Sequence, residues 1–279
     1  MIDLHLHTTA SDGRSTPEQL VAEAAAAGVR TIAVTDHDTT DAIGACEAAA
    51  RAEGVDFVPG IEMTAVDGRR DIHVLGYFID GDDDDLARFL SVQREDRRRR
   101  LLEIASTLER LGAPIDTTPI TAAAACGRSV GRPMVAAALI DAGHARDVED
   151  AFDRFLGEGR PAFVERRGSS PAEVIARIHE AGGVAALAHP GKVGLDALVA
   201  PLAESGLDAV EVFHPDHDDE ARVRYARLAR DHDLLVTGGS DYHGPGSGRE
   251  SALGRVGLPA REFDRLAARA RWRSGQGRG

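Results

Sequence analysis

Seven short apolar runs punctuate this chain, and every one of them meets a histidine or a carboxylate at one end. The runs are Ile2 to Leu6, Thr31 to Thr35, Phe57 to Glu62, Ile72 to Ile79, Val184 to Ala188, Ala209 to Phe213 and Leu234 to Thr237. Each has the length of a buried strand, and alanine-rich segments of helical period separate most of them. Strands alternating with helices predict an α/β fold whose sheet is largely parallel and covered by helices, either open and doubly wound or closed into a barrel. Two helix starts match: Thr16-Pro17-Glu18 and Ser170-Pro171-Ala172-Glu173 each offer a capping hydroxyl ahead of a first-turn proline, and Gly28 and Gly182 mark the stops. The link from Glu62 to Ile72 is too short for a crossover helix and contains Asp67-Gly68, so the fourth strand is expected to run antiparallel to the third.

The rhythm breaks between the fourth and fifth runs. A long helical pattern from Asp82 to Arg110 gives way to a loop and further helices, TAAAAC, GRPMVAAALIDAG and DVEDAFDRFLGEG. The expected organisation is therefore a first part of the strand domain at 1–112, a mainly helical insertion at 113–160, a second part at 161–268, and a disordered Gly/Arg-rich tail at 269–279.

Charge narrows the function classes. The 33 Lys+Arg and 46 Asp+Glu give a formal net charge of -13, which disfavours a basic face for duplex DNA and suits bound cations. Cys46 and Cys126 lack CxxC spacing and read as free thiols of a reducing compartment. No apolar run approaches membrane-spanning length, and MIDLHLH has neither a basic nor an apolar leader segment, so a cytoplasmic protein with no membrane partner is expected.

The strand ends carry the chemistry. His5 and His7 close the first run, His37 follows the second, Glu62 ends the third and His73 opens the fourth; His189, His214, Asp241 and His243 follow the last three. In parallel α/β folds that end of the sheet hosts the active site. His5-x-His7 and Asp241-x-His243 each place two side chains on one face of an extended backbone, so each pair can grip one ion. Imidazoles mixed with carboxylates suit Zn, Mn or Fe better than Mg or Ca. Other features read as structural. Arg97 to Arg100 is expected to be a solvated helix face, Asp82 to Asp85 a helix N-terminus, GPGSG at 244–248 a flexible loop, and His144, His179, His217 and His232 surface residues. Asp36 and Asp38 flank His37 and suit hydrogen bonding to ligands.

DLHLHTTASDG at 3–13, VTDHDT at 34–39, PGIE at 59–62, HVLGY at 73–77, AHPG at 188–191 and GSDYHG at 239–244 resemble, in order, the motifs of the PHP (polymerase and histidinol phosphatase) superfamily. The insertion with GRPMVAAALI resembles the branch of nucleotide phosphatases and 5'-to-3' exoribonucleases. The resemblance implies a distorted (β/α)7 barrel and two to three divalent ions (Mn, Zn or Fe). It implies a first metal on His5, His7, Glu62 and Asp241, with Glu62 bridging to a second on His73 and His189, and a third on Asp12, His37 and His243. Three ions facing three ligand carboxylates would make the pocket locally cationic, a trap for phosphate. The expected enzyme is a hydrolase of phosphate esters. It removes a terminal phosphate or 5' nucleotide from small nucleotides, such as nucleoside 3',5'-bisphosphates, or from short single-stranded RNA, through attack by a metal-bridging hydroxide. Glu62, Asp241 and His214 are the catalytic candidates, His214 as general acid or substrate contact against a structural alternative, and Arg132, Arg167 and His214 are the substrate-binding ones. The alternatives are a phosphatase for a metabolite such as histidinol phosphate, or a metal-stabilised binding domain without turnover, against which the complete ligand set argues.

Overall fold

The computed structural model describes residues 1–276 of the chain, with the backbone alone for 193 and 274–276. Seven strands form one sheet in sequential order: β1 (Ile2–Leu6), β2 (Thr31–Val34), β3 (Asp56–Asp67), β4 (Arg70–Tyr77), β5 (Val184–Leu187), β6 (Ala209–Phe213) and β7 (Leu235–Gly238). The ladders β1–β2, β2–β3, β5–β6 and β6–β7 are parallel, while β4 runs antiparallel to both β3 and β5. The antiparallel hairpin follows from its two-residue turn, where Gly68 takes φ +60 at the first central position. It puts the start of β4 beside the finish of β3, with Thr64 opposite His73.

The sheet curls until its edge strands meet at an isolated bridge between Leu6 and Tyr242, where His7 N–H donates to the Tyr242 carbonyl at 2.9 Å. The buried Asp3 carboxylate closes the same seam, accepting from Ser240 N–H at 2.9 Å and His5 N–H at 3.3 Å. A Cβ on Gly239 would stand 2.4 Å from the His5 nitrogen, so only glycine permits this approach. The expected α/β barrel is thus present in distorted form, curled and joined at one end rather than by a full closing ladder.

Helices α1 (Pro17–Ala26) and α2 (Ile43–Glu53) cover β1 and β2, burying Leu20, Val21, Ala24, Cys46 and Ala50 against Leu6, Ile32 and Val34. A capping box starts α1, through Thr16 and Gln19, and another starts the helix at Pro171–Glu180, through Ser170 and Glu173. Between them in the chain come α3 (Asp84–Arg110), α4 (Thr118–Ala125), α5 (Arg132–Asp141) and α6 (Val148–Ala151), the last continuing as a π-helical turn. After α7 (Pro171–Glu180) follow α8 (Pro190–Val193), α9 (Val199–Glu204), α10 (Asp219–Asp231) and α11 (Ala260–Gln276).

Two compact units result: residues 1–88 with the chain from 169 onward, and 89–168. The second is larger than the expected 113–160 because most of α3 belongs to it. Leu101, Ile104 and Leu108 of that helix share a core with Ala113, Ile120, Val135, Leu139 and Leu156. The arginine run on α3 also departs from the expected solvated face. Arg97 and Arg100, one turn apart on the same side, are buried and donate to the carbonyls of Val130 (3.4 Å) and Val164 (2.7 Å), whereas Arg98 and Arg99 pair outward with Glu95, Asp96 and Glu103.

The expected disordered tail is corrected as well, since residues 269–276 continue α11. Ala270 is buried, and Arg269 and Arg273, one turn apart, both donate to the Asp208 carboxylate at 2.8 and 2.6 Å. Buried apolar contact plus a double guanidinium anchor outweighs the helix-weakening composition of that stretch. Residues 277–279 of the expected tail lie outside the described residues.

Candidate metal centre

At the ligand end of the curled sheet the strands deliver their donors to one place. Asp3, His5 and His7 alternate onto one face of β1 and its extension, and Glu62 lies opposite Leu75 on the β3–β4 ladder, so His73 shares its face. Glu62 is the hub. Its Oε2 lies 3.2 Å from His7 Nε2, 3.2 Å from His37 Nδ1 and 3.3 Å from His5 Nε2; its Oε1 lies 2.7 Å from His73 Nδ1 and 3.0 Å from His189 Nε2. Asp241 Oδ1 stands 3.4 Å from both His5 Nε2 and His7 Nε2, and Asp12 reaches His243 at 3.3 Å and His37 at 3.8 Å.

All nine residues expected as metal ligands come together. Four overlapping groups have donor atoms within 4.8 Å of one another: His5-His7-Asp241, His5-Glu62-His189, His37-Glu62-His73 and His7-Asp12-His37-His243. The overlap cuts across the expected partition: His7 serves the group with Asp12 as well as the group with Asp241, His5 also groups with His189, and His37 also groups with His73. A test of whether these residues suit cations is available in the hydrogen bonding. Buried ring nitrogens of His7, His37, His73 and His189 find no hydrogen-bond geometry, although several crowd carboxylate oxygens. His5 Nε2 and His189 Nε2 do bond Glu62, at 3.3 and 3.0 Å, but the ring nitrogens left over beside the same carboxylates form a donor set that suits a divalent ion.

Electrostatics agree with that fit. Burial pushes Glu62 upward, but His37, His73, His5 and His189 outweigh it and hold the carboxyl well below its usual range; Asp12 and Asp241 are held down by their histidines in the same way. Burial opposes charge on His5 and His7 too, yet the carboxylates win, lifting His5 well above its usual value and His7 to about 10. His189, with burial dominant, falls to about 4, and His37 is lowered for the same reason. Protons on His5 and His7 thus balance buried carboxylate charge, in the positions a divalent cation would take over.

A further layer holds the donors in aim. Asp36 accepts from Thr8 N–H (2.8 Å), Thr8 Oγ1 (2.6 Å) and Ser11 Oγ (2.6 Å), fixing the turn after His7, and Asp38 accepts from Thr64 N–H at 2.9 Å. Sequence reasoning missed Glu211. It is fully buried on β6, accepts from His5 Nδ1–H at 2.9 Å and from His189 N–H at 2.7 Å, and so leaves His5 Nε2 free to face Glu62 and Asp241. A glutamate in the middle of the apolar run AVEVF was the available signal.

His217 departs from its expected surface position. It is 1% exposed, donates from Nδ1 to the Val212 carbonyl (2.9 Å) and accepts Gly191 N–H at Nε2 (3.0 Å), bracing the turn that carries His189, whose φ is +27. His214 is also fully buried. Its Nδ1 accepts Asp216 N–H at 3.1 Å, which leaves the proton on Nε2, 3.4 Å from Asp241 Oδ2. That geometry favours the structural alternative, a positioning partner of Asp241, over a solvent-facing acid.

The two arginines expected to bind substrate belong to the other unit. Arg132 opens α5, with its guanidinium over Phe152 (5.6 Å) and beside Phe163 (6.0 Å) and NH1 3.4 Å from the Leu156 carbonyl. Arg167 is exposed; its N–H donates to Asp96 at 3.2 Å, and its neighbour Arg166 is buried.

A PHP domain family model matches residues 3–125. The 5'-3' exoribonuclease Rnm of Escherichia coli is 38% identical over 250 residues, covering 87% of this chain and 85% of that protein. The chain belongs to the PHP family. Another relative, the 3',5'-nucleoside bisphosphate phosphatase of Chromobacterium violaceum, is 31% identical over 252 residues and 88% of each chain. A crystal structure described as a metal-dependent phosphoesterase from Bifidobacterium adolescentis superposes with a TM-score of 0.86 at 32% identity, covering 96% of this PHP protein and 95% of that chain. Among the described residues no helix is long and apolar enough to cross a membrane.

Proposed function

We propose that this PHP protein is a metal-dependent phosphoesterase that removes a terminal phosphate or 5' nucleotide from small nucleotides, nucleoside 3',5'-bisphosphates among them, or from short single-stranded RNA. The observation that carries the reading is the cluster of nine ligand residues, five of its histidines on Glu62 itself, in a chain similar along most of its length to enzymes named for those substrates. His5, His7, Glu62 and Asp241 would hold one ion, Glu62, His73 and His189 a second, and Asp12, His37 and His243 a third, with Mn, Zn or Fe favoured by the donor chemistry. Bound divalent ions supply Lewis-acid charge for phosphoryl oxygens.

The protein's own groups do the positioning. Glu62 presents one oxygen to each of two histidine sets, and Glu211 sets the tautomer of His5 so that Nε2 faces inward. His214 orients Asp241. Arg132 and Arg167 are proposed as contacts to substrate phosphate, the guanidinium fork matching paired oxygens.

The test is hydrolysis by manganese-loaded and chelator-stripped protein of a nucleoside 3',5'-bisphosphate, a 5'-phosphorylated dinucleotide, histidinol phosphate and an aryl phosphate. Activity on the nucleotide substrates is expected with metal and not after stripping. It is also expected to fall in mild acid, because metal binding must displace the protons held on His5 and His7. Full turnover by protein shown metal-free by elemental analysis would overturn the reading.

A further inference from the structure

Past the last metal-site histidine the chain forms a loop whose guanidinium the phosphoesterase reading leaves without a task. Gly244, Gly246 and Gly248 take φ of +89, +74 and +86, and the Glu250 carboxylate is held below its usual range first by its own backbone N–H and then, against burial, by those of Gly248, Gly246 and Ser247. From the other side Arg14 donates through its guanidinium to the carbonyls of Pro245 and Gly246 and through its N–H to the His243 carbonyl at 2.8 Å. This stretch, expected to be a flexible loop, is tied at both flanks.

Arg249 leaves the loop with 19% of its side chain exposed. Its NH1 and NH2 meet Asp216 Oδ1 and Oδ2 at 3.1 and 2.8 Å in a fork, and NH2 stands 3.4 Å from Asp241 Oδ2. That is the same oxygen His214 Nε2 faces. Once Asp241 shares its charge with a divalent cation it compensates the guanidinium less, leaving Asp216 as its counter-charge, and an anion lying against both cation and guanidinium is favoured. Asp216 keeps it from swinging away. The Asp216 pair uses two of the five guanidinium N–H groups, and the others, held in place beside a cation site, suit the oxygens of a phosphoryl group.

We propose that Arg249, held in place by Asp216, contacts the oxygens of the phosphoryl group bound at the metal centre. The inference rests on the phosphoesterase reading and adds a cationic contact from the strand unit itself. It is tested on full-length, manganese-loaded protein by measuring inorganic phosphate binding calorimetrically together with manganese content. Arg249→Gln is expected to weaken phosphate binding about 10- to 150-fold with manganese content unchanged, and Arg249→Lys, which keeps the charge without the fork, to recover part of it. Phosphate binding within two-fold of wild type in Arg249→Gln would overturn the inference. So would parallel loss of phosphate and manganese, which would make Arg249 a brace for Asp241. If Arg249→Gln does not fold, Asp216→Ala decides, with weaker phosphate binding expected and unchanged binding fatal. Failure of the wild type to hydrolyse phosphate esters would instead sink the phosphoesterase reading.

Discussion

Residues 89–168 hold 13 arginines against 12 carboxylates, whereas the remainder of the chain holds 20 basic and 34 acidic residues, so one unit carries about +1 and the other about −14. The strand unit sets three of its carboxylates, Asp12, Glu62 and Asp241, among imidazoles. The insertion uses arginine within its own architecture, with Arg97 and Arg100 buried beneath α3 and Arg132 against aromatic rings. The contrast can be broken at four residues.

The largest effect is expected at Glu62. Five imidazole nitrogens lie within 3.3 Å of its two oxygens, so Glu62→Gln removes the charge that unites the centre. Metal stoichiometry should drop, and kcat/KM should fall by more than the about 10- to 100-fold typical of changes to groups that merely orient ligands. His214→Ala, which loses one 3.4 Å contact to Asp241, should stay within that smaller range. Elemental analysis paired with kinetics on both variants checks the order, and a more damaged His214 variant that keeps its metals would reverse the assignment.

Why the strand unit was legible and the insertion less so is physical. Strand ends are fixed by period-2 alternation and by turn residues, so His5, His7, His73 and Asp241 could be placed at one end of a sheet from spacing alone. Helix faces in the insertion depend on which side finds a core, and α3 looked equally polar all round until Leu101, Ile104 and Leu108 found theirs. Glu211, His217 and Arg269 share a second difficulty. Each acts through a partner far away in sequence, a residue 206 positions off in the case of Glu211 and His5 and 61 in the case of Arg269 and Asp208. No local pattern announces such pairs.

Arg132 sharpens the contrast. If the insertion contributes recognition rather than bond breaking, Arg132→Ala should lower kcat/KM for nucleoside 3',5'-bisphosphates by about 10- to 150-fold, the cost of one charge-assisted contact. Hydrolysis of a small aryl phosphate should stay within a few-fold of wild type. Equal losses on both substrates, with the protein still folded by circular dichroism, would assign Arg132 to the chemical step and remove the separation of roles.

The smallest effect concerns how the strand unit spends its own arginines, and it is read in stability rather than turnover. Asp208 is buried; burial alone would raise its pKa, but hydrogen bonds from His179 (2.8 Å), Arg273 (2.6 Å) and Ala185 N–H (3.0 Å) outweigh that and hold it at about 2. Because the folded value lies below the unfolded 3.8, the stabilisation is complete above about pH 4 and is lost as pH falls toward 2. A shift of that size corresponds to ~2 kcal/mol. Asp208→Asn should therefore lower Tm at pH 7 by a few degrees and flatten the loss of stability between about pH 4 and 2, while metal content and kcat stay near wild type. Urea denaturation at several pH values measures it. A variant as stable as wild type at pH 7 would show that Arg269 and Arg273 do not anchor α11 through this carboxylate, leaving Leu266 and Ala270 to hold the helix by apolar contact alone.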